Sequence, residues 1–211
     1  MRRGSPEQRP GEGHSLARLA PAAVIVSGPP ASGKTTLATA LASALHYAIM
    51  DLDTATGPLT RAALRATTGD QTAIDSTTAV ALRTPRYETL IDLAAANLAA
   101  GIGVVIAAPF TDERSSAERF EAVVRRLRST VALLYIDAPD HIVRSRLESR
   151  NAARDGAKLS RPPAGTSPAT LVPEAIVIDG TNTAAGQLAE ALAALERPQN
   201  DYPSNPQAAT C

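Results

Sequence analysis

The segment Gly28-Pro-Pro-Ala-Ser-Gly33-Lys34-Thr35 constrains this chain more than any other feature. It follows an unbroken apolar run, residues 22–27, which predicts a buried strand. It precedes residues 35–45, where leucine recurs every fourth residue as on one face of a helix. The two glycines let the backbone bend sharply and approach a ligand closely, so that successive N–H groups surround an anion at the start of the helix. The segment therefore predicts a phosphate-binding loop.

The residues of this loop have predicted contacts with ATP and Mg²⁺. Lys34 would reach the β- and γ-phosphates and stabilise the transferring phosphoryl group, the Thr35 hydroxyl would ligate Mg²⁺, and Thr36 would bond the α-phosphate. The surrounding backbone cradle comprises Gly28, Ala31, Ser32 and Gly33. The alternative is a chance glycine turn, which average residue frequencies would produce in about one per cent of such chains. We therefore expect ATP and Mg²⁺ as cofactors.

Composition limits the remaining possibilities. The chain has 21 basic residues (lysine and arginine) and 21 acidic residues (aspartate and glutamate), so its formal net charge is zero. Because non-specific nucleic-acid binding needs an excess of basic residues, a nucleic-acid partner is not expected. The 211 residues suit one domain, whose core rests on Val, Ile, Leu and Ala because tryptophan is absent. Cys211 is the single cysteine, so no intramolecular disulfide forms. The apolar stretch 22–26 is too short to span a membrane, and we expect a cytoplasmic protein.

Apolar strand-like segments alternate with helical patterns through most of the chain. Predicted strands cover residues 22–27, 47–50, 104–108, 131–136 and 175–178, and predicted helices cover residues 35–45, 87–100, 115–128, 140–154 and 184–195. We expect short helices within residues 54–82. This alternation predicts an α/β domain, residues 21–196, with a mainly parallel five-stranded sheet covered on both faces. Residues 1–20 and 197–211, rich in polar residues, Gly or Pro, are expected to be flexible tails.

Chemically reactive side chains follow the predicted strands. Asp51 and Asp53 end the second strand, residues 109–114 follow the third, and residues 179–182 follow the fifth. In parallel sheets, ligands bind beyond the carboxyl ends of the strands. Carboxylates there suit a hydroxyl nucleophile and a magnesium ion. The alternative role for Asp51 and Asp53 is a simple strand exit or helix cap.

The phosphate loop followed by Asp51-Leu-Asp53 resembles the small P-loop kinases, among them shikimate kinase, gluconate kinase, chloramphenicol phosphotransferase and an uncharacterised group described as AAA family ATPases. The resemblance covers about residues 22–195 and implies a three-layer P-loop NTPase fold with a helical lid. It further implies that Asp53 orients the acceptor hydroxyl and that Asp51 helps to hold hydrated Mg²⁺. It places Arg83 and Arg86 among the acceptor-binding groups.

The third predicted strand departs from the pattern of many P-loop proteins. It ends at Ala107-Ala108-Pro109, and the first acid after it is Asp112. This weakens the hypothesis of a motor or GTPase and shifts metal binding toward Asp51. The segment from Phe110 to Arg114 is expected to line the acceptor site, with Arg114 binding a substrate anion. The alternative is a surface arginine.

Arginines cluster after the fourth predicted strand. Arg146, Arg150 and Arg154 are spaced by four residues and share one helix face. The cluster resembles the lid of small kinases, predicted here at about residues 144–173. By that resemblance Arg146 would contact ATP, while Arg150 and Arg154 would stabilise the transition state in catalysis. The alternative is a solvated helix face that pairs with nearby carboxylates.

Three functions remain open at the level of sequence. The first is an ATP-dependent phosphotransferase acting on a hydroxyl of a small metabolite or antibiotic. The second is a nucleoside, nucleotide or polynucleotide-end kinase, which the scarcity of aromatic residues disfavours. The third is a non-catalytic nucleotide-binding switch. The residues leave the acceptor, the choice between ATP and GTP, and the oligomeric state open.

Overall fold

A computed structural model of the chain describes residues 21–73, 76–150 and 171–196. Its strands are β1 Ala23–Ser27, β2 Ala48–Asp51, β3 Val104–Ala107, β4 Val131–Asp137 and β5 Ala175–Asp179. Its helices are α1 Lys34–Leu45, α2 Leu52–Thr68, α3 Thr77–Ala99, α4 Ala117–Leu127, α5 Asp140–Arg150 and α6 Ala184–Leu195, with a 3-10 turn at Glu113–Ser115 before α4.

The five strands form one sheet in the order β2-β3-β1-β4-β5. Every pairing is parallel, with Val24 opposite Val105 on one side and Ala132 on the other. Separate apolar clusters line the two faces: α1 and α6 pack on one, and α3 and α4 pack on the other. The predicted three-layer α/β architecture is confirmed, and the order of strands places β1, which leads into the phosphate loop, at the centre of the sheet.

The two elements around the phosphate loop follow directly from their sequences. All five residues of β1 are buried, as a central strand covered on both faces requires. Helix α1 buries Leu37, Leu41 and Leu45 on the face that packs against the sheet. The loop between β1 and α1 is therefore held at both ends by buried structure.

The prediction for residues 54–82 was wrong, because α2 is a single helix of 17 residues. The start of the next helix was also misplaced, since α3 begins at Thr77 rather than at residue 87. Both helices contain a proline, Pro58 in α2 and Pro85 in α3. A proline leaves the carbonyl four residues earlier without its donor. Those carbonyls belong to exposed residues, Thr54 and Ala81, where water can bond them.

Some predictions fall on residues that the structure does not describe. The tails, residues 1–20 and 197–211, lie outside the described residues, as do residues 151–170 of the predicted lid. Of the described lid residues, 144–150 are helical within α5, and 171–173 lie outside the helices and strands. Within the described ranges, no helix is both long and apolar enough to cross a membrane.

Candidate active site

The phosphate loop has a backbone that only glycine allows at its start. Gly28 has a φ of 150°, and a Cβ there would lie 2.8 Å from Ser32 Oγ and 2.9 Å from the carbonyl oxygen of Ile136. The loop continues through Ala31 and Gly33, whose φ values of 59° and 110° are also positive. Such alternation of backbone conformation produces the concave nest of N–H groups that binds anions. The loop therefore fits phosphate.

Helix α1 begins at Lys34, directly after the loop. Its first turn contains no acidic residue, and no side chain caps its N-terminus, so the positive end of the helix dipole is available to an anion. The Nζ of Lys34 donates to the carbonyl oxygen of Pro29 at 2.6 Å, which holds the ammonium group against the loop. Thr35 and Thr36 are both exposed at the start of the helix. Lys34, Thr35 and Thr36 thus lie together at the start of α1, next to the loop.

Asp51 makes two contacts, one for each of its predicted roles. Its Oδ1 accepts a hydrogen bond of 2.8 Å from the N–H of Thr54 and caps α2. Its Oδ2 accepts a hydrogen bond of 3.1 Å from Thr35 Oγ1. The two predicted Mg²⁺ ligands are therefore adjacent, and both offer the hard oxygen that this ion prefers. The described residues contain no group of three or more metal-binding side chains, so water and phosphate oxygens would complete the coordination.

Asp53 lies in the first turn of α2, two residues beyond Asp51. Its Oδ1 pairs with Nη2 of Arg86 at 2.8 Å, and the Asp53 side chain is 64% exposed. The Nε of Arg86 donates to Thr56 Oγ1 at 2.9 Å, so the guanidinium group is fixed by two contacts. The structure thus brings together two residues predicted to contact the acceptor, and most of the Asp53 side chain is exposed to solvent.

Arg83, one helical turn before Arg86, pairs with a different carboxylate. Its Nη1 donates to Asp112 Oδ2 at 2.6 Å, and Arg119 contacts the same oxygen at 3.2 Å. The hydrogen bond from Arg83 lowers the pKa of Asp112. Phe110, with a φ of 43°, is buried nearby, and its N–H donates to the hydroxyl of Tyr87. Arg83 and Phe110 therefore both lie against Tyr87, and Arg83 pairs with Asp112 rather than with Asp53.

Arg146, on α5, connects two loops. Its Nη1 donates to the carbonyl oxygen of Ser32 in the phosphate loop, and its Nη2 donates to that of Gly180 after β5, both at 3.1 Å. The side chain therefore lies beside the phosphate loop, where it contacts protein carbonyls, and its contact with ATP stays a prediction. Arg150 ends the same helix, but its side chain and the whole of Arg154 lie outside the described residues.

Comparison with known proteins identifies the family. A family model described as AAA domain matches residues 24–163. The chain belongs to this AAA domain family. A search of the curated proteins found no match.

Solved structures share the fold of this AAA domain. A sugar kinase from Janibacter sp. HTCC2649 is 22% identical with a TM-score of 0.59, and the alignment covers 85% of this chain and 96% of that one. A gluconokinase from Sinorhizobium meliloti 1021 is 17% identical with a TM-score of 0.52, covering 82% and 90%. Shikimate kinase from Aquifex aeolicus is 18% identical with a TM-score of 0.51, covering 82% and 96%. The fold is therefore that of the small P-loop kinases.

Arg114 of the AAA domain is buried, so it is not the surface arginine that the sequence left as the alternative to an anion-binding role. It is 3% exposed, and its Nη1 donates to the carbonyl oxygen of Pro109 at 2.7 Å. Its guanidinium carbon lies 5.1 Å from the centre of the Tyr135 ring, as in a cation–π contact. Burial lowers the pKa of the Arg114 guanidinium. The burial corrects the expected role, because Arg114 supports the turn after β3 from inside the protein.

Sequence reasoning missed Gln187, a buried polar residue on α6. Its Nε2 donates to the carbonyl oxygens of Asn182, at 3.1 Å, and of Gly180, at 3.4 Å. It thereby fixes the turn 179–182, which follows β5. The available signal was its position, because Gln187 shares the buried face of α6 with two apolar residues, Ala191 and Leu195. A polar residue in such a stripe indicates a partner.

Proposed function

We propose that this AAA domain is an ATP-dependent kinase that phosphorylates a hydroxyl group of a small molecule. The observation that carries the proposal is the proximity of two carboxylates at the end of β2. Asp51 contacts Thr35 of the phosphate-loop helix, and Asp53, two residues later, is exposed and held by Arg86. The names of the sugar, gluconate and shikimate kinases that share the fold support the same conclusion.

The donor side of the reaction would be held by the phosphate loop and α1. The nest from Gly28 to Gly33 binds the phosphates, and Lys34 and the dipole of α1 stabilise negative charge on the transferring group. Mg²⁺ bound with ATP supplies charge neutralisation of the phosphate oxygens. Thr35 and Asp51 would hold this ion, directly or through water.

The acceptor side would be organised by Asp53. A carboxylate within hydrogen-bond reach of the acceptor hydroxyl orients it and takes its proton during transfer. The two contacts of Arg86, to Asp53 and to Thr56, keep that carboxylate in place before the acceptor arrives. Positioning of this kind is a main contribution of the protein to phosphoryl transfer.

The arginines of α5 and the residues after it would complete the site. Arg146 ties the phosphate loop to the turn after β5 and so shapes the nucleotide pocket. We propose that Arg150 and Arg154 act in catalysis by placing positive charge on the transferring phosphoryl group. Exclusion of water by the same segment would prevent loss of the phosphoryl group to hydrolysis.

Phosphate transfer from labelled ATP to a panel of hydroxyl compounds, in the presence of Mg²⁺, tests the proposal.

Replacement of Asp53 by Asn should lower kcat about 10²- to 10⁴-fold, the usual contribution of general-base catalysis, with ADP affinity unchanged. Asp70→Asn is the matched control, because Asp70 is an exposed carboxylate in the turn after α2. Full transfer by Asp53→Asn would contradict the role of Asp53. Nucleotide binding without transfer to any compound would favour a non-catalytic switch. Transfer to a nucleoside, a nucleotide or a polynucleotide end would favour a kinase of that class instead.

A further inference from the structure

The side of α2 that carries Asp53 continues with a glycine and an arginine. Asp53, Gly57 and Arg61 are spaced by four residues, so they follow one another along the same side of the helix. Each is separated from the next by roughly 6 Å along the helix axis. The proposed acceptor carboxylate is therefore followed by a position without a side chain and then by a positive charge.

Gly57 lies in the middle of α2, where glycine is an unfavourable residue. Its backbone is helical, so no positive φ requires a glycine there. The proline that follows it does not require one either, because Thr84 precedes Pro85 inside α3. Apart from the backbone of α2 and the adjacent residues, the only described atoms within 4 Å of a Cβ at this position belong to Arg61, with Nη1 at 3.1 Å and Cζ at 4.0 Å. The glycine thus leaves the space in which the guanidinium group lies.

The guanidinium group of Arg61 is directed toward the start of α2. A long side chain in a helix points toward the N-terminus and covers the turn before its own Cα. Arg61 does so, because its guanidinium group lies against Gly57, one turn nearer to Asp53. The start of α2 adjoins the helix that follows the phosphate loop, since its cap Asp51 contacts Thr35. The positive charge is therefore directed toward the end of α2 at which the proposed reaction takes place.

The charge of Arg61 is exposed and is not neutralised by any described residue. The positions of α2 at which a carboxylate could pair with it, three or four residues away, are Gly57, Pro58, Leu64 and Arg65. Neither a hydrogen bond nor an ion pair joins Arg61 to another residue of the described ranges. By contrast, every arginine of α3 and α4 pairs with a carboxylate, namely Arg83, Arg86, Arg119, Arg125 and Arg126. The guanidinium group of Arg61 is therefore accessible to an anionic ligand.

We propose that Arg61 binds a carboxylate or phosphate group of the acceptor, while Asp53 holds the hydroxyl group that is phosphorylated. The planar guanidinium group donates two parallel hydrogen bonds to either anion. The negative charge of Asp53 repels the same anion, so the acceptor binds in one orientation. The inference rests on the proposed function. It makes Arg61 a specificity residue, which selects acceptors whose anionic group lies roughly 6 Å from the reacting hydroxyl, the axial distance from Asp53 to Gly57.

Binding of matched compounds, measured by calorimetry with ADP and Mg²⁺ present, tests the anion site without catalysis. The probes are sugar acids, other hydroxy-carboxylates and sugar phosphates, each compared with its uncharged and its amino counterpart. We expect an anionic compound to bind better than its counterparts, and the carboxylate and phosphate arms show which anion is preferred. Arg61→Gln should weaken the binding of that compound about tenfold, as loss of a hydrogen bond to a charged group does. Absence of Arg61-dependent binding in both anionic classes would overturn the proposal.

Matched variants separate the anion site from general effects of charge and folding. Arg65→Gln removes the same charge one turn further along α2, where the side chain bonds Gln71, and it should leave acceptor affinity unchanged. Gly57→Leu fills the space beside Arg61 and should weaken binding, whereas Ala62→Leu adds the same bulk at an exposed position of α2 and should not. Arg61→Lys keeps the charge but loses the planar fork, so it should restore only part of the affinity. Equal affinities in Arg61→Gln and Arg65→Gln would refute the role of Arg61.

Measurements of phosphate transfer distinguish this inference from the kinase proposal. In an active kinase, Arg61→Gln should raise the KM for the anionic acceptor about tenfold and leave kcat nearly unchanged, as loss of ground-state binding does. Binding of an anion that depends on Arg61, without phosphate transfer from ATP, would support the anion site and contradict the proposed function. Transfer to a compound whose KM is the same in wild type and in Arg61→Gln would support the kinase and contradict the anion site.

Discussion

Replacement of Gly28 by alanine should damage both stability and nucleotide binding. The new Cβ would lie 2.9 Å from the carbonyl oxygen of Ile136, which belongs to β4 and cannot move without distorting the sheet. Crowding of this kind costs about 1–3 kcal/mol, and a positive φ in a residue with a Cβ costs about 1–2 kcal/mol more. The free energy of unfolding should therefore fall by about 2–5 kcal/mol, which a domain stable by about 5–15 kcal/mol can survive.

Gly69→Ala separates these two effects. Gly69 also has a positive φ, of 74°, but a Cβ there would meet nothing within 4 Å. This variant should lose only the backbone contribution, about 1–2 kcal/mol, and should bind ADP normally. Urea unfolding followed by circular dichroism measures both variants, since the chain has no tryptophan for fluorescence. Equal losses of stability in the two variants, or wild-type ADP affinity in Gly28→Ala, would refute the reasoning from crowding.

Two further predictions concern charged groups. Arg146→Gln removes both hydrogen bonds between the phosphate loop and the turn after β5, and titration with ADP should show an affinity about tenfold lower, whereas the exposed control Arg144→Gln should bind ADP normally. The hydrogen bond from Arg83 lowers the pKa of Asp112 below its ordinary value of 3.8, so the pair stabilises the fold above that pH and is lost as the pH falls through the lowered pKa. Urea midpoints at pH 7 and pH 3 should thus differ more in wild type than in Asp112→Asn, and an equal pH dependence would contradict this.

The sequence predicts the helices and strands correctly where their pattern of burial is simple. The strand β1 is apolar throughout and the helix α1 is apolar on one face, and the bounds of both were predicted within one residue. The full extents of α2 and α3 were missed because residues 54–82 have Thr, Gly and Asp interspersed, and a proline, which usually marks a helix end, lies inside each helix. A helix tolerates a proline when the carbonyl group four residues earlier is exposed to water. Only the tertiary structure determines whether that carbonyl group is exposed.

The candidate site, too, could be predicted from the sequence only in part. Parallel strands place their carboxyl ends at one edge, so the proximity of Asp51 to the phosphate loop followed from the topology. The topology does not determine which carboxylate or carbonyl group each arginine contacts. Arg83 and Arg86 are three residues apart, yet one pairs with Asp112 and the other with Asp53. Arg114 is buried because Tyr135 and the Pro109 carbonyl lie beside it, and no pattern in the sequence predicts those contacts.

The two contacts of Asp51 join the start of α1 to the start of α2, and substitution can separate them. Asn is as good a helix N-cap as Asp, so Asp51→Asn should keep the hydrogen bond from the Thr54 N–H and lose little stability. Asp51→Ala removes the cap and should lose about 1 kcal/mol. Both variants lack the charge offered to Mg²⁺ beside Thr35, so both should need more Mg²⁺ for tight ATP binding, measured by titration of ATP at several Mg²⁺ concentrations. If Asp51→Asn binds ATP with the Mg²⁺ dependence of wild type, Asp51 acts only as a cap, and the metal is held by Thr35 and water.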